Sequence, residues 1–139
     1  MTMLGVADFA GRWRLQRTIT DRLGGQMGHM TGQAVFTQAG PGVLAYHETG
    51  DLRIGDGPVM TATRGYLWVF DAGGVAVQFP DGAAFHRFTP AGHVAGTDHP
   101  CGADLYRVHY DFSRWPMWRA TWVVHGPRKD YTSAADYRR

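Results

Sequence analysis

Arg17, Glu48, Arg64 and Asp104 are ionisable side chains in segments that otherwise alternate between polar and apolar residues, and Tyr46, Tyr66 and Tyr106 accompany them. A period of two places each on the face that carries aliphatic or aromatic neighbours. Arg17 goes with Trp13, Leu15 and Ile19; Glu48 with Leu44, Tyr46 and Leu52; Asp104 with Tyr106, Val108 and Tyr110. Arg64 goes with Tyr66 and Trp68, on a strand whose other face, with Leu67 and Val69, is also partly apolar, so alternation leaves its inward side open. Charges carried into a core are costly unless they pair or meet a ligand. Two chemistries answer that cost. One is an internal network, with Arg17 against Glu48 and Arg64 against Asp104. The other is a pocket in which the arginines hold a carboxylate or phosphate through bidentate hydrogen bonds. Trp68 and Trp122 would supply flat apolar walls, and apolar walls with a few convergent polar groups are what small-molecule sites look like. In GPRKDY, Gly126-Pro127 bends the chain and Arg128, Lys129 and Asp130 follow, either as a charged surface turn or as cations meeting an anion. The candidate ligand-binding set is therefore Arg17, Glu48, Arg64, Tyr66, Trp68, Asp104, Tyr106, Trp122 and Arg128.

Other groups capable of chemistry are sparser. His93, His99 and Cys101 follow the spacing H-x5-H-x-C. Zinc takes imidazole and thiolate ligands, but this spacing is not that of a structural zinc motif and no second cysteine exists, so no metal is expected. Histidines bonded to backbone or water fit the segment better than a nucleophilic Cys101 with His99 or His86 as base. Glu48, Asp104 and His86 are the acid–base candidates if the cavity does chemistry, and no catalytic set is assigned among them. No cofactor is expected; a haem would need an axial histidine facing the cavity, and His86 is the one candidate for it. Alternation does not decide between Phe85 and His86 as the inward residue.

The elements that must position these residues are strands. Arg12–Thr20, MTGQAVFT, the run Val43–Ile54, TATRGYLWVF, Val75–Phe79, Phe85–Phe88, Ala103–Phe112 and Trp118–His125 alternate or are rich in β-branched and aromatic residues. Glycine-rich turns separate them, and Pro80-Asp81-Gly82 between apolar runs is a hairpin signal. TPAGHVAGTDHPCG reads as a long loop. The tail GPRKDYTSAADYRR reads as a turn followed by a short strand or helical turn. Sequential strands on short turns form an antiparallel meander, which removes its edges by closing. The expected fold is all-β: an antiparallel up-and-down barrel of eight to ten strands, with a short helical turn in MLGVADFA.

Bulk properties narrow the function classes. The 139 residues suit one domain spanning 1–139, and the net charge of +2 with no basic run argues against nucleic acid. Five Trp, six Tyr and seven Phe beside 19 Gly favour short strands and tight turns. The one cysteine forbids an internal disulfide, the first residues lack a signal-peptide pattern, and no apolar stretch reaches the length of a membrane helix. A cytoplasmic protein without membrane contact is the expectation, with a homo-oligomer left open.

Gly11-Arg12-Trp13, at the start of the first strand and after a helical turn, resembles the signature of the lipocalin (calycin) superfamily. The resemblance implies that Trp13 packs over the closed end of a barrel, under a basic residue from near the C-terminus, a part open to Arg128, Lys129 or Arg138. FAGRW, RGYLWVF, PDGAAFHRF, HPCGADLY and GPRKDY together resemble an uncharacterised family of small bacterial lipocalin-like proteins, a domain of unknown function. The leading expectation is a binding protein for a small, partly apolar, anionic ligand, with Trp13 and Trp122 as floor and wall and Arg17 and Arg64 on the anion. One alternative is a cofactor-independent isomerase, cyclase or hydrolase acting in the cavity. Another is an interaction module with a filled barrel, using His47, Leu67 and Val69 on its outer face.

Overall fold

The computed structural model describes residues 2–139 and is a nearly closed antiparallel barrel. After the single turn α1 (Val6–Phe9), the strands are β1 (Gly11–Asp21), β2 (Gln26–Gly40), β3 (Val43–Ile54), β4 (Met60–Asp71), β5 (Gly74–Gln78) and β6 (Ala84–Phe88). They continue with β7 (His93–Ala95), β8 (His99–Cys101), β9 (Asp104–Arg114), β10 (Met117–Gly126) and β11 (Lys129–Arg138). The sheet order is β6-β5-β4-β3-β2-β1-β11-β10-β9-β7, with β8 also on β9, so neighbours in sequence are mostly neighbours in the sheet.

The 11 strands exceed the expected eight to ten for two reasons. The stretch read as a long loop contains β7 and β8, whose three residues each are too few to show alternation. This stretch also closes the barrel. Gly96 donates to the Val108 carbonyl on β9 (3.0 Å), and Thr97 donates to the Arg87 carbonyl on β6 (2.9 Å). The tail is a full ten-residue strand that pairs β1 on one side and β10 on the other. Its Asp, Ala and Ser content has low strand propensity, and pairing on both edges overrides it.

Inward faces follow the alternation on β1 to β4, β9 and β10, where Leu15, Met30, Ala34, Phe36, Leu44, Trp68, Val108, Tyr110, Trp118 and Val124 are buried. On β6 the register slips against β5, with Val77 opposite His86 and Gln78 opposite Ala84. Phe85 is the extra residue of this bulge, and a bulge re-aims side chains locally. Phe85 and His86 both face the interior as a result. Gly32 and Gly50 face one another across β2 and β3, and a Cβ on Gly32 would run into the Thr49 carbonyl oxygen and the Gly50 Cα. The two strands come closer there than side chains allow.

One end of the barrel is solid. Phe9 of α1 is fully buried among the rings of Phe36, Trp68, Phe112, Trp115 and Trp118, with centroids 5.1–5.9 Å away. Trp13 is also fully buried, and its Nε1 donates to the Phe9 carbonyl at 2.9 Å. The basic residue over it is Arg139, 4.1 Å from the ring centroid, rather than Arg128, Lys129 or Arg138. Arg139 also donates to the carbonyls of Asp8 (2.7 Å) and Ala10 (3.0 Å), serving groups that the single helical turn leaves free. Arg138 lies on the outer face opposite Arg14, and Arg128 and Lys129 lie at the other end of the barrel.

Candidate functional site

The opposite end is hollow. A cavity of about 710 Å³ opens there, walled by side chains that converge from β1 to β4, from the β5–β6 turn and β6, and from β8 to β11. Apolar and aromatic walls come from Ile19, Leu52, Phe79, Phe85 and Trp122, with Phe85 stacked on Trp122 at 4.9 Å and 7°. Below this space lies a chamber of about 40 Å³ that shares Arg17, Glu48, Arg64, Tyr66, Phe85 and Trp122 with it and adds His86, Tyr110, Trp118 and Tyr137.

Arg17 and Glu48 meet where the two spaces join. Ala34 on β2 lies opposite Glu48, and Met30 lies opposite Arg17, so their pairing spans β1 to β3. The guanidinium is bidentate on the carboxylate, with Nη1–Oε2 at 2.5 Å and Nη2–Oε1 at 3.0 Å. The Tyr46 hydroxyl donates to Glu48 Oε1 at 2.6 Å and lies 2.8 Å from the Tyr137 hydroxyl. Side-chain exposure is 9% for Arg17 and 3% for Glu48. Burial opposes ionisation of Glu48, but the Arg17 hydrogen bond and charge outweigh it and hold the carboxyl below its usual range. Burial likewise opposes the Arg17 cation, but the contact with Glu48 outweighs it and holds the guanidinium above its ordinary value. Burial pushes the Tyr137 hydroxyl up to about 12.

Arg64 and Arg128 are placed differently. Both line the large cavity, and among the described residues neither makes an ion pair; Arg64 lies beside the Tyr66 side chain, a neutral partner. The expected Arg64–Asp104 pair does not form. Asp104 is outside the cavity lining, its carboxylate lying beside Gly126 and 3.4 Å from Lys129 Nζ. Lys129 also donates to the Tyr106 hydroxyl at 2.8 Å, which, with Asp104, raises its pKa to about 12. Arg22 is held by Asp130 at 2.8 Å. The mouth therefore offers two arginines free to meet an anion.

Of the nine residues expected to bind a ligand, Arg17, Glu48, Arg64, Tyr66, Tyr106, Trp122 and Arg128 line the large cavity, Trp68 reaches only the chamber, and Asp104 reaches neither. Trp13 is buried in the solid end and lines no cavity, so the expected floor role falls to Trp118 and Tyr137, which stack at 3.8 Å. Phe85, His99, Tyr131 and Ser133 line the cavity and were not in that set. Tyr131 and Ser133 carry a legible alternation with Ala135 and Tyr137; Phe85 depends on the bulge.

His86 is buried, with its Nε2 2.7 Å from the Tyr110 hydroxyl. Burial, then the neighbouring His99, lowers its pKa to about 3, so the ring is neutral at physiological pH. His93 and His99 do not gather with Cys101: His93 lies 3.5 Å from Asp111, and His99 packs on Phe79 and Phe85. No group of three or more metal-ligating side chains forms among the described residues. His47 is exposed and Leu67 and Val69 are half-buried on the outer wall. No helix among the described residues is long and apolar enough to cross a membrane.

Residues 9–139 match a family described as being of unknown function, DUF6314, and the chain belongs to that family. Among solved structures it is similar to the S-type phycobiliprotein lyase CPES from Guillardia theta, with a TM-score of 0.65 at 9% identity over 96% of this chain and 89% of that one. It is also similar to a protein of unknown function from the DUF3598 family of Nostoc punctiforme, with a TM-score of 0.58 at 13% identity over 99% of this chain and 49% of that one. These likenesses show the fold, an all-β, nearly closed antiparallel barrel. No curated protein matches the sequence.

Proposed function

We propose that this member of the unknown-function family DUF6314 binds a small, partly apolar, anionic molecule in the open half of its barrel. The observation that carries the reading is a cavity of about 710 Å³ with aromatic walls and two arginines, Arg64 and Arg128, that form no ion pair among the described residues. Apolar walls provide affinity through burial, and an unpaired guanidinium provides selectivity for carboxylate or phosphate geometry. Arg17 has a different part from the one its position in the sequence suggests. Glu48 neutralises it, so the pair forms a polar floor that orients a ligand rather than the seat of the anion.

A single lipocalin-like domain working in the cytoplasm, without nucleic acid or membrane contact, completes the proposal. Similarity to a lyase supports the barrel and not a reaction, because one fold hosts many chemistries. A neutral His86 and an ionised Glu48 locked to Arg17 favour binding over acid–base catalysis. The hollow half also disfavours an interaction module built on a filled barrel. Native mass spectrometry of the freshly purified protein beside a denatured sample tests the proposal. A bound anion that disappears in the Arg64→Gln/Arg128→Gln variant supports it. Identical native and denatured masses, with no uptake of added biphenyl-4-carboxylate, refute it.

A further inference from the structure

Among the described residues, two buried side-chain polar atoms lack a partner within the chain, His86 Nδ1 and Trp118 Nε1. The two residues that carry them line the same chamber of about 40 Å³ beneath the large cavity. Their residues are 6% and 3% exposed, so bulk water does not serve them. An unserved buried donor or acceptor costs more than an ordinary hydrogen bond returns, and native structures rarely leave one. Two such groups on one small chamber share a single place where one partner could serve both.

We infer that the chamber is a hydrogen-bonding subsite for a hydroxyl or carbonyl oxygen at the end of the ligand away from its charge. The inference rests on the proposed binding of an anion in the cavity above. Its geometry is that of a two-ended site. Trp118 sits at the start of β10 beside the solid end, whereas Arg128 follows the far end of that strand at the mouth. Arg17, Glu48, Tyr66 and Phe85 belong to both spaces, so a ligand passes from one to the other without crossing a wall. The chamber has the size of one water or one oxygen substituent.

The hydrogen-bond roles fit an oxygen. Trp118 Nε1 is a donor only. His86 is neutral, with Nε2 engaged by Tyr110, and Nδ1 donates in one tautomer and accepts in the other. A carbonyl oxygen meets the two groups when Nδ1 carries the proton; a hydroxyl meets them in either tautomer. The ligand class is a ring-bearing anion with an oxygen substituent opposite its acid group.

The test compares 4′-hydroxybiphenyl-4-carboxylate with biphenyl-4-carboxylate by isothermal titration. The two probes differ only in the distal hydroxyl. The hydroxy acid is expected to bind about tenfold tighter or more, because a site built to bond an oxygen penalises the analogue that lacks it. Trp118→Phe and His86→Phe should each shrink that preference, measured as the ratio of the two affinities in the same variant. The Trp118 indole N–H resonance of the unmodified protein gives a readout that needs no variant to fold, and it should shift with the hydroxy acid alone. Equal affinities with that resonance unmoved would mean that solvent serves the two groups, overturning the subsite but leaving the anion cavity standing. Binding of neither acid would overturn the cavity reading and the subsite with it.

Discussion

Replacing Glu48 with Gln isolates the charge of the Arg17–Glu48 pair, since the shape and the oxygen facing Tyr46 are kept. The partner left behind, Arg17, has a side chain only 9% exposed and cannot lose its proton. Two unit charges about 4 Å apart at an effective dielectric near 20 interact by about 4 kcal/mol. Breaking one side of a buried pair typically costs about 3–5 kcal/mol. With total stability on the order of 5–15 kcal/mol for a domain, that loss is large. Urea unfolding followed by tryptophan fluorescence should show a midpoint about 1.5–2.5 M lower, taking a slope of about 2 kcal/mol/M. The acid limb gives a second readout. The folded-state pKa of Glu48 lies below its ordinary value of 4.5, so its stabilisation is complete above that pH and is lost as pH falls through the folded value. Glu48→Gln should abolish this part of the acid loss. The Arg17→Met/Glu48→Met variant should cost less than either single change, because it leaves no stranded charge. A Glu48→Gln loss below about 1 kcal/mol, or a double variant whose loss equals the sum of the singles, would refute the claim that the pair is a mutually dependent buried unit.

His86 should impose a separate acid sensitivity. Its folded pKa, lowered to about 3 from 6.5, lets only the unfolded chain take the proton between those values. Stability should therefore fall by about 1.4 kcal/mol per pH unit below pH 6.5, and His86→Phe should flatten the slope between pH 6.5 and 5 in equilibrium unfolding. Arg139→Ala removes the cation over Trp13 and the bonds to the carbonyls of Asp8 and Ala10, and should cost about 1–2 kcal/mol with biphenyl-4-carboxylate affinity unchanged. A titration showing weakened binding would contradict the separation of the solid end from the site. Gly32→Ala should lower stability by about 1–3 kcal/mol in thermal or urea unfolding, because its Cβ meets backbone that cannot yield cheaply.

The strands and inward faces most legible in the sequence are those long enough to repeat a period of two. Val43–Ile54 reads with its observed bounds, and Trp13, Leu15, Arg17, Leu44, Tyr46 and Glu48 all point as alternation directs. The Arg17–Glu48 pair followed from two charges on inward faces. What escaped has physical reasons. Strands of three residues carry no period, so the closure by His93–Cys101 read as loop. The final strand is rich in Asp, Ala and Ser and is held by neighbours on both sides, a tertiary effect. The bulge at Phe85 depends on a mismatch between β5 and β6 that neither strand shows alone. Partner choice was least legible, since Asp104 is diverted to Lys129 and the Trp13 cover falls to the last residue, Arg139, through three-dimensional proximity.

The central claim is that Arg64 and Arg128 make the hollow half of the barrel selective for an anion. The measurement that meets it most directly is titration of biphenyl-4-carboxylate against neutral biphenyl-4-carboxamide, in the unmodified protein and in Arg64→Gln/Arg128→Gln, at low salt. The account predicts that the unmodified protein prefers the carboxylate about tenfold or more, that salt erodes the preference, and that the variant binds the two compounds alike. A preference that survives in the variant, or equal affinities in the unmodified protein, would contradict it.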